Sequence, residues 1–588
     1  MPGGLLNLIS KGTEDVHFIT NPTKTFFKCS YSKYTNFGKQ KFRINPEQYS
    51  NLKLNTETKL TFKFPRYAEL LTDTYLIIKL PHIWSPIYQV EAANAKALHW
   101  RPYEFKWIEN LGSQIIKTMK FYIGGQLVQE FTGHYLQNLV ERDFPQEKKE
   151  LYYQMTGNIP ELNDPANAYG RNNVYPNAFF PSVTSSWNKE NDSALWTDWI
   201  EKYKTLGIEP SIRGRNIYIP INIWFTLLNK MALPLVSMQY VECWVDIELR
   251  PITELFVVKD IDVDISMAQY ISPKTSDDRY SFYKFIHNPP QYEGGTVNVD
   301  YPDKRTEWNC DIHLSSTYIF LGEDEQRVFA QKSQQYLIKE VYQYLFHNTL
   351  SSKKVLLSNS HGIISSWMWF FQRTDVNKRN QWSNYSNWDY NYLPCNIITP
   401  NEPELTFITN THEKFSLEDL SLNHTFYFTP NNGTQYIPTT GYYRVENQKT
   451  IMNKWGLIFD GKYRENEQYD GILSYVEKYK CSSGYSSDCL YNYNFCLNTN
   501  PFEYQPTGAI NTNAFNKIEF EFDTIKPQFN DEEILVKSQF TCGLNGELIA
   551  AESPMQSIYK YDFNLYIIEE RYNILTFSNG NVSLAFSR

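Results

Sequence analysis

Cysteine is scarce in this chain, with eight among 588 residues. Cys29, Cys243, Cys310, Cys395, Cys481, Cys489, Cys496 and Cys542 are scattered, which argues against a disulfide framework and for buried thiols in a reducing compartment. The tightest trio, Cys481, Cys489 and Cys496, has spacings of eight and seven that match no zinc pattern. Long apolar runs are missing too. The run 75–80 is typical and Lys79 interrupts it, far short of the ~20 apolar residues of a membrane-spanning helix. The start has neither the charged nor the sustained apolar region of a secretory signal, and Pro2 stands where myristoylation needs glycine.

Catalytic signatures are likewise missing. There is no phosphate loop of spaced glycines, no His-Glu-x-x-His and no Gly-x-Ser-x-Gly. The ten histidines are dispersed, and His361 in "SNSHGIISSW" reads as a turn residue rather than a base. The acidic trio Glu323, Asp324 and Glu325 suits a helix amino terminus. No catalytic, cofactor-binding or metal-binding residue is expected. Paired carboxylates can still meet in three dimensions, so a carbohydrate-binding or carbohydrate-cleaving β protein stays open as the alternative.

Aromatic residues are abundant: 44 Tyr, 37 Phe and 14 Trp. They favour pleated, half-buried surfaces and lean the reading towards sheet. The length predicts two domains. Net charge is −9 but uneven, because residues 1–66 hold eleven Lys and Arg against four Asp and Glu, leaving −16 for the rest. An acidic body argues against direct nucleic-acid binding. The basic start reads first as a solvated strand face and second as a contact for an acidic partner.

Alternation with period two dominates. "KLTFKF" puts Leu60, Phe62 and Phe64 on one face. "VECWVDIEL" does so with Val241, Cys243, Val245, Ile247 and Leu249, and "KIEFEFD" with Ile518, Phe520 and Phe522. Each predicts a strand with one buried face, while "TYLIIKL" predicts a more buried one. Gly124-Gly125 and Asp460-Gly461 predict tight turns. One helix is expected in "EDEQRVFAQKSQQYLIKEVYQYLF", with Val328, Phe329, Lys332, Tyr336, Ile338 and Val341 along one face. A shorter one is expected in "HYLQNLVERDF".

Two polar stretches, 145–215 and 373–450, read as surface insertions between strands. Glycosylation sequons begin at Asn191, Asn384, Asn423, Asn432 and Asn581, and the first four lie inside these insertions. The irregular stretch 257–306 reads as a linker, with a second β domain beginning near "NCDIHLSSTYIFL".

The segment "GGLLNLISKGTEDVHFITNPTKTFFKCSYSKYTNF" (3–37) resembles the opening of major capsid proteins of nucleocytoplasmic large DNA viruses, with the mimivirus-like and algal-virus branches most similar. Residues 219–249, with "ALPL" before a Gln-Tyr strand, resemble the end of that family's first jelly roll. Residues 318–338 resemble the start of the second, residues 492–522 a late "QPTG" segment, and "LAFSR" the usual terminus. The resemblance implies an all-β fold of two tandem eight-stranded jelly rolls with long loop insertions and a few short helices. It divides the chain into an arm at 1–24, a first jelly roll at 25–256, the linker, and a second jelly roll at 307–588. It implies a homotrimer forming a pseudo-hexagonal capsomer in an icosahedral virion shell, produced late and assembled in the host cytoplasm. Neighbouring capsomers and minor capsid proteins are the implied partners, together with the internal membrane through an arm ordered only by partners. A minor capsid paralogue of the same fold is the other alternative.

Overall fold

The computed structural model describes residues 3–10, 12, 15, 35–48, 51–90, 99–176, 209–262, 269–289, 292–293, 296–297, 300–391, 448–484, 487–503, 505–527 and 561–586, plus short strands within 405–438 and 539–559. Two sets of eight strands organise it. The first comprises β1 (Phe37–Ile44), β2 (Thr58–Lys63), β3 (Leu70–Lys79), β4 (Ile116–Ile123), β5 (Gln126–Thr132), β6 (Asn216–Pro220), β7 (Cys243–Leu249) and β8 (His313–Leu321). The second comprises β9 (Gln334–Phe346), β10 (Lys353–Leu356), β11 (Ile363–Arg373), β12 (Met452–Phe459), β13 (Lys462–Tyr469), β14 (Tyr491–Asn494), β15 (Ile518–Thr524) and β16 (Phe563–Ser578).

In the first set, a sheet ordered β1-β8-β3-β6 packs on one ordered β2-β7-β4-β5. In the second, β9-β16-β11-β14 packs on β10-β15-β12-β13. Adding eight to each label of the first barrel reproduces the second. Each is an antiparallel double-sheet jelly roll, whose last strand returns beside its first.

The alternation in sequence explains the strands. On β2, Leu60 and Phe62 are buried while Lys59 and Lys63 face out. β7 and β15 bury every second residue in the same way. Both predicted turns are two-residue hairpins, with φ of 59° and 83° at Gly124-Gly125 and 46° and 76° at Asp460-Gly461. The aromatic excess fills the second barrel, where Trp369 stacks on Trp455 at 5.0 Å and meets Phe520 edge-on at 5.2 Å.

Six expectations need correction. The helix expected over the whole of 323–346 stops early: α4 is Glu323–Gln331, and Tyr336, Ile338 and Val341 lie on β9, held by thirteen register pairs to β16. The strand in "NCDIHLSSTYIFL" does not open the second barrel, because β8 pairs with β1 and β3 and completes the first. The linker is woven into the first barrel. Phe256–Lys259 pairs with Phe105–Trp107, and Tyr280, Phe282 and Phe285 join its core.

The first insertion begins as packed helix rather than surface loop. α3 (Gln146–Thr156) buries Tyr152, and Ile159 and Leu162 enter the first core. The start of the second insertion, 374–391, is mostly buried too. Asn380 Nδ2 donates to the carbonyls of Thr253 and Phe256, and Trp382 Nε1 donates to that of Glu254. Finally, part of the amino-terminal arm is docked on its own chain. Leu6 of α1 (Leu5–Ile9) enters the second core, Ser10 Oγ donates to the Asn511 carbonyl at 2.5 Å, and Arg464 Nε donates to Asn7 at 2.9 Å.

Candidate functional site, the seam between the barrels

The helix expected in "HYLQNLVERDF" is α2 (Gly133–Asp143), which follows β5 without a break. All eleven of its residues are buried. One face carries Tyr135, Leu136 and Leu139 into the first core. Its other contacts reach the outer face of the second barrel's β9-β16-β11-β14 sheet. Met368 and Phe370 on β11 and Ile568 on β16 turn away from their own barrel and join the first barrel's core. The apolar core therefore runs continuously through the seam. His134 sits among Phe370, Tyr385 and Tyr566, with ring centroids at 5.2, 5.9 and 5.5 Å.

The carboxyl end of α2 brings charge into this interior. Arg142, only 2% exposed, donates to Asp143 at 2.7 Å, to Glu570 at 3.0 Å and to Ser366 Oγ at 3.1 Å. Tyr135 donates to the same Glu570 at 3.3 Å, and Lys339 Nζ lies 3.8 Å from it. Thr499 donates to Asp143 at 2.5 Å, and the Gly484 amide to the Arg142 carbonyl at 2.9 Å. Burial pushes Glu570 up, but Arg142, Lys339 and the Ser366 hydroxyl outweigh it and hold the carboxyl at about 2. Burial raises Asp143 and its arginine only partly offsets this, since one guanidinium serves two acids. Burial, aided by the charge on Arg250, pushes His134 down to about 3, so it is neutral.

A second charged cluster lies at the carboxyl end of β11. Arg373 donates to Asp375 at 2.7 Å and Arg379 to the same carboxylate at 2.8 Å, while Asp389 accepts from Arg373 at 2.7 Å. Buried, mutually satisfied ions of this kind fix geometry more than they add stability.

Beside α2, a cleft of about 740 Å³ including its mouth is lined by Trp224, Lys339, Glu503, Glu570 and Tyr572 among others. Glu570 is paired and ionised there, which unsuits it as a general acid near neutral pH. Among the described residues, no group of three or more His, Cys, Asp or Glu is placed to hold a metal ion. Cys243, Cys310, Cys481, Cys489 and Cys496 are free thiols. His361 is exposed at a bend before β11.

Of the sequons, Asn384 is 4% exposed, and its side chain bonds Ser386 and the Trp388 carbonyl. The folded chain leaves no room for a glycan there, which corrects that expectation. Asn581 is exposed on a terminal hairpin strand, and Asn191, Asn423 and Asn432 lie outside the described residues. The basic start has the look of a solvated strand face: Lys39 and Lys41 are exposed on β1, and Lys63 pairs with Glu47 at 2.9 Å. Sequence reasoning missed the Arg142, Glu570 and Lys339 cluster. Its one local signal was charge at the end of a helix otherwise rich in Leu and Val.

Solved structures share this fold of tandem jelly rolls. The fold is similar to the Paramecium bursaria Chlorella virus 1 (PBCV-1) capsid over 96% of this chain and 100% of that one, with a TM-score of 0.53 and 15% identity. It is similar to the Faustovirus major capsid protein over 94% and 92% respectively, with a TM-score of 0.53 and 12% identity. Residues 25–284 match the family described as major capsid protein N-terminus. Curated relatives include capsid protein 1 of Acanthamoeba polyphaga mimivirus, 24% identical over 58% of this chain and 44% of that protein. The major capsid protein of Chrysochromulina ericina virus is 24% identical over 61% and 56%. The chain thus spans about half the length of these relatives.

Proposed function

We propose that this chain is the major capsid protein of a large DNA virus, a structural protein and not an enzyme. Three copies form a pseudo-hexagonal capsomer, and capsomers tile an icosahedral shell assembled in the host cytoplasm. The observation that carries this is the repeat of one strand order in two barrels of one chain. Two similar barrels give a threefold oligomer a near-sixfold outline, so its side contacts can recur across a lattice. Individually modest contacts then suffice, because each capsomer is held by many. The exposed side of α1, with Leu5, Leu8 and Ile9, offers a contact for minor capsid proteins. Exposed Asn581 is the glycosylation site that the described fold leaves accessible. Electron microscopy of the purified protein tests the reading. Threefold particles with a hexagonal outline are expected, and a stable monomer at assembly concentrations contradicts it.

A further inference from the structure

The two barrels repeat one topology, yet one of them is covered and the other is not. Inside the chain, the helix that follows β5 packs on the outer face of the second barrel's β9-β16-β11-β14 sheet. The second barrel has the same parts. After β13 the chain enters a π-helical turn, Ile472–Val476, and continues as α5 (Glu477–Cys481). Leu473, Ser474 and Lys478 are buried against the rest of the chain. The opposite side is apolar and open. Ile472, Tyr475, Val476 and Tyr479 are 37, 48, 56 and 93% exposed. Their spacing of i, i+3, i+4 and i+7 is that of a face made to be buried.

The matching receiver is open in part, away from the end where Leu70 and Ile319 pack with Phe329 of α4. The first barrel's β1-β8-β3-β6 sheet is topologically equivalent to the sheet on which α2 sits. On its outer face Tyr75 stands opposite Pro220, and Ile77 opposite Tyr218. Tyr75 and Ile77 are half-buried and Tyr218 is exposed. β9 is largely covered where β1 is exposed from Phe37 to Lys41. β5, whose Thr132 donates to Gln343 on β9 at 2.9 Å, is partly covered where β13 is mostly exposed. Helix, edge strand and receiving sheet therefore differ in the same direction.

We infer that the face of Ile472, Tyr475, Val476 and Tyr479 docks on the outer side of the β1-β8-β3-β6 sheet of a second copy of this chain. This contact repeats the internal seam between molecules, and it rests on the capsomer reading. The interface is head-to-tail, joining unlike surfaces, and such an interface closes into a ring when the rotation is a whole fraction of a turn. With two barrels per chain, three copies close a ring of six.

The test uses the full-length protein. Sedimentation of the wild type is expected at about three times the 69.3 kDa chain mass. Val476→Glu puts a charge into the centre of the docking face. It is expected to weaken association at least ~tenfold, with an unchanged circular dichroism spectrum. Because that variant could misfold, cross-linking of mixed isotope-labelled and unlabelled wild type provides a second reading. A Lys480 to Lys41 link between copies is expected. A wild-type trimer that lacks this link, with Val476→Glu equally trimeric, overturns the inference and leaves the capsomer reading standing. A wild type that stays monomeric defeats the capsomer reading itself.

Discussion

The seam inside the chain and its counterpart at the far side of the second barrel are built from the same elements in the same order, and they differ in what covers them. α2 has no exposed residue, while the helical segment 472–481 turns four large apolar side chains outwards. The covered seam carries the polar cluster of Arg142, Glu570 and Lys339 under an apolar roof. The outward face of its open counterpart carries tyrosines and aliphatics, and the segment's buried Lys478 lies on the opposite side. A contact made during folding can contain ions that are never solvent-exposed afterwards. A contact made between finished chains starts wet, and apolar faces with polar tips suit that.

Breaking the covered seam should have the largest effect. Arg142→Met leaves Glu570 and Asp143 buried with less compensation, and denaturant unfolding should show a loss of about 3–5 kcal/mol. On the open counterpart, Lys480→Met should stay within ~0.5 kcal/mol. Phe370→Ala removes a ring that packs on Tyr385 at 4.2 Å and should cost about 3 kcal/mol or more. The matching change Tyr75→Ala should cost about 1 kcal/mol or less in the isolated chain and act mainly on association.

The seam should also be acid-labile. His134 ionises near 6.5 when unfolded and at about 3 when folded, so its contribution is full above pH 6.5 and is lost as pH falls towards 3. Over that window stability should decline by up to ~1.4 kcal/mol per pH unit. His134→Phe should flatten the slope, and a slope unchanged by that substitution would place the acid sensitivity elsewhere. The turns should matter only modestly. Gly461→Ala at φ 76° should cost about 1 kcal/mol, seen as a small shift in the denaturation midpoint.

Much of the wall of each barrel was legible in the sequence. Leu60 and Phe62, Val245 and Ile247, and Phe520 and Phe522 announced their faces by alternation, and glycines marked both hairpins. What escaped depends on partners far along the chain. Tyr336, Ile338 and Val341 fit a helical face, but β9 is fixed by β16, with Gln334 opposite Phe577. β8 closes the first barrel because Lys39 meets Ile319, a pairing that no local pattern announces. Asn384 carries a sequon like any other, and its burial comes from the fold around it. The seam was invisible for the same reason, since Arg142 and Glu570 are 428 residues apart.

A cryo-electron microscopy reconstruction of the assembled protein tests the central claim most directly. Six barrels about a threefold axis are expected, with 472–481 of each chain seated on β1, β3 and β8 of the next. Density showing that helical face open to solvent in a complete assembly, or a particle without threefold symmetry, would contradict it.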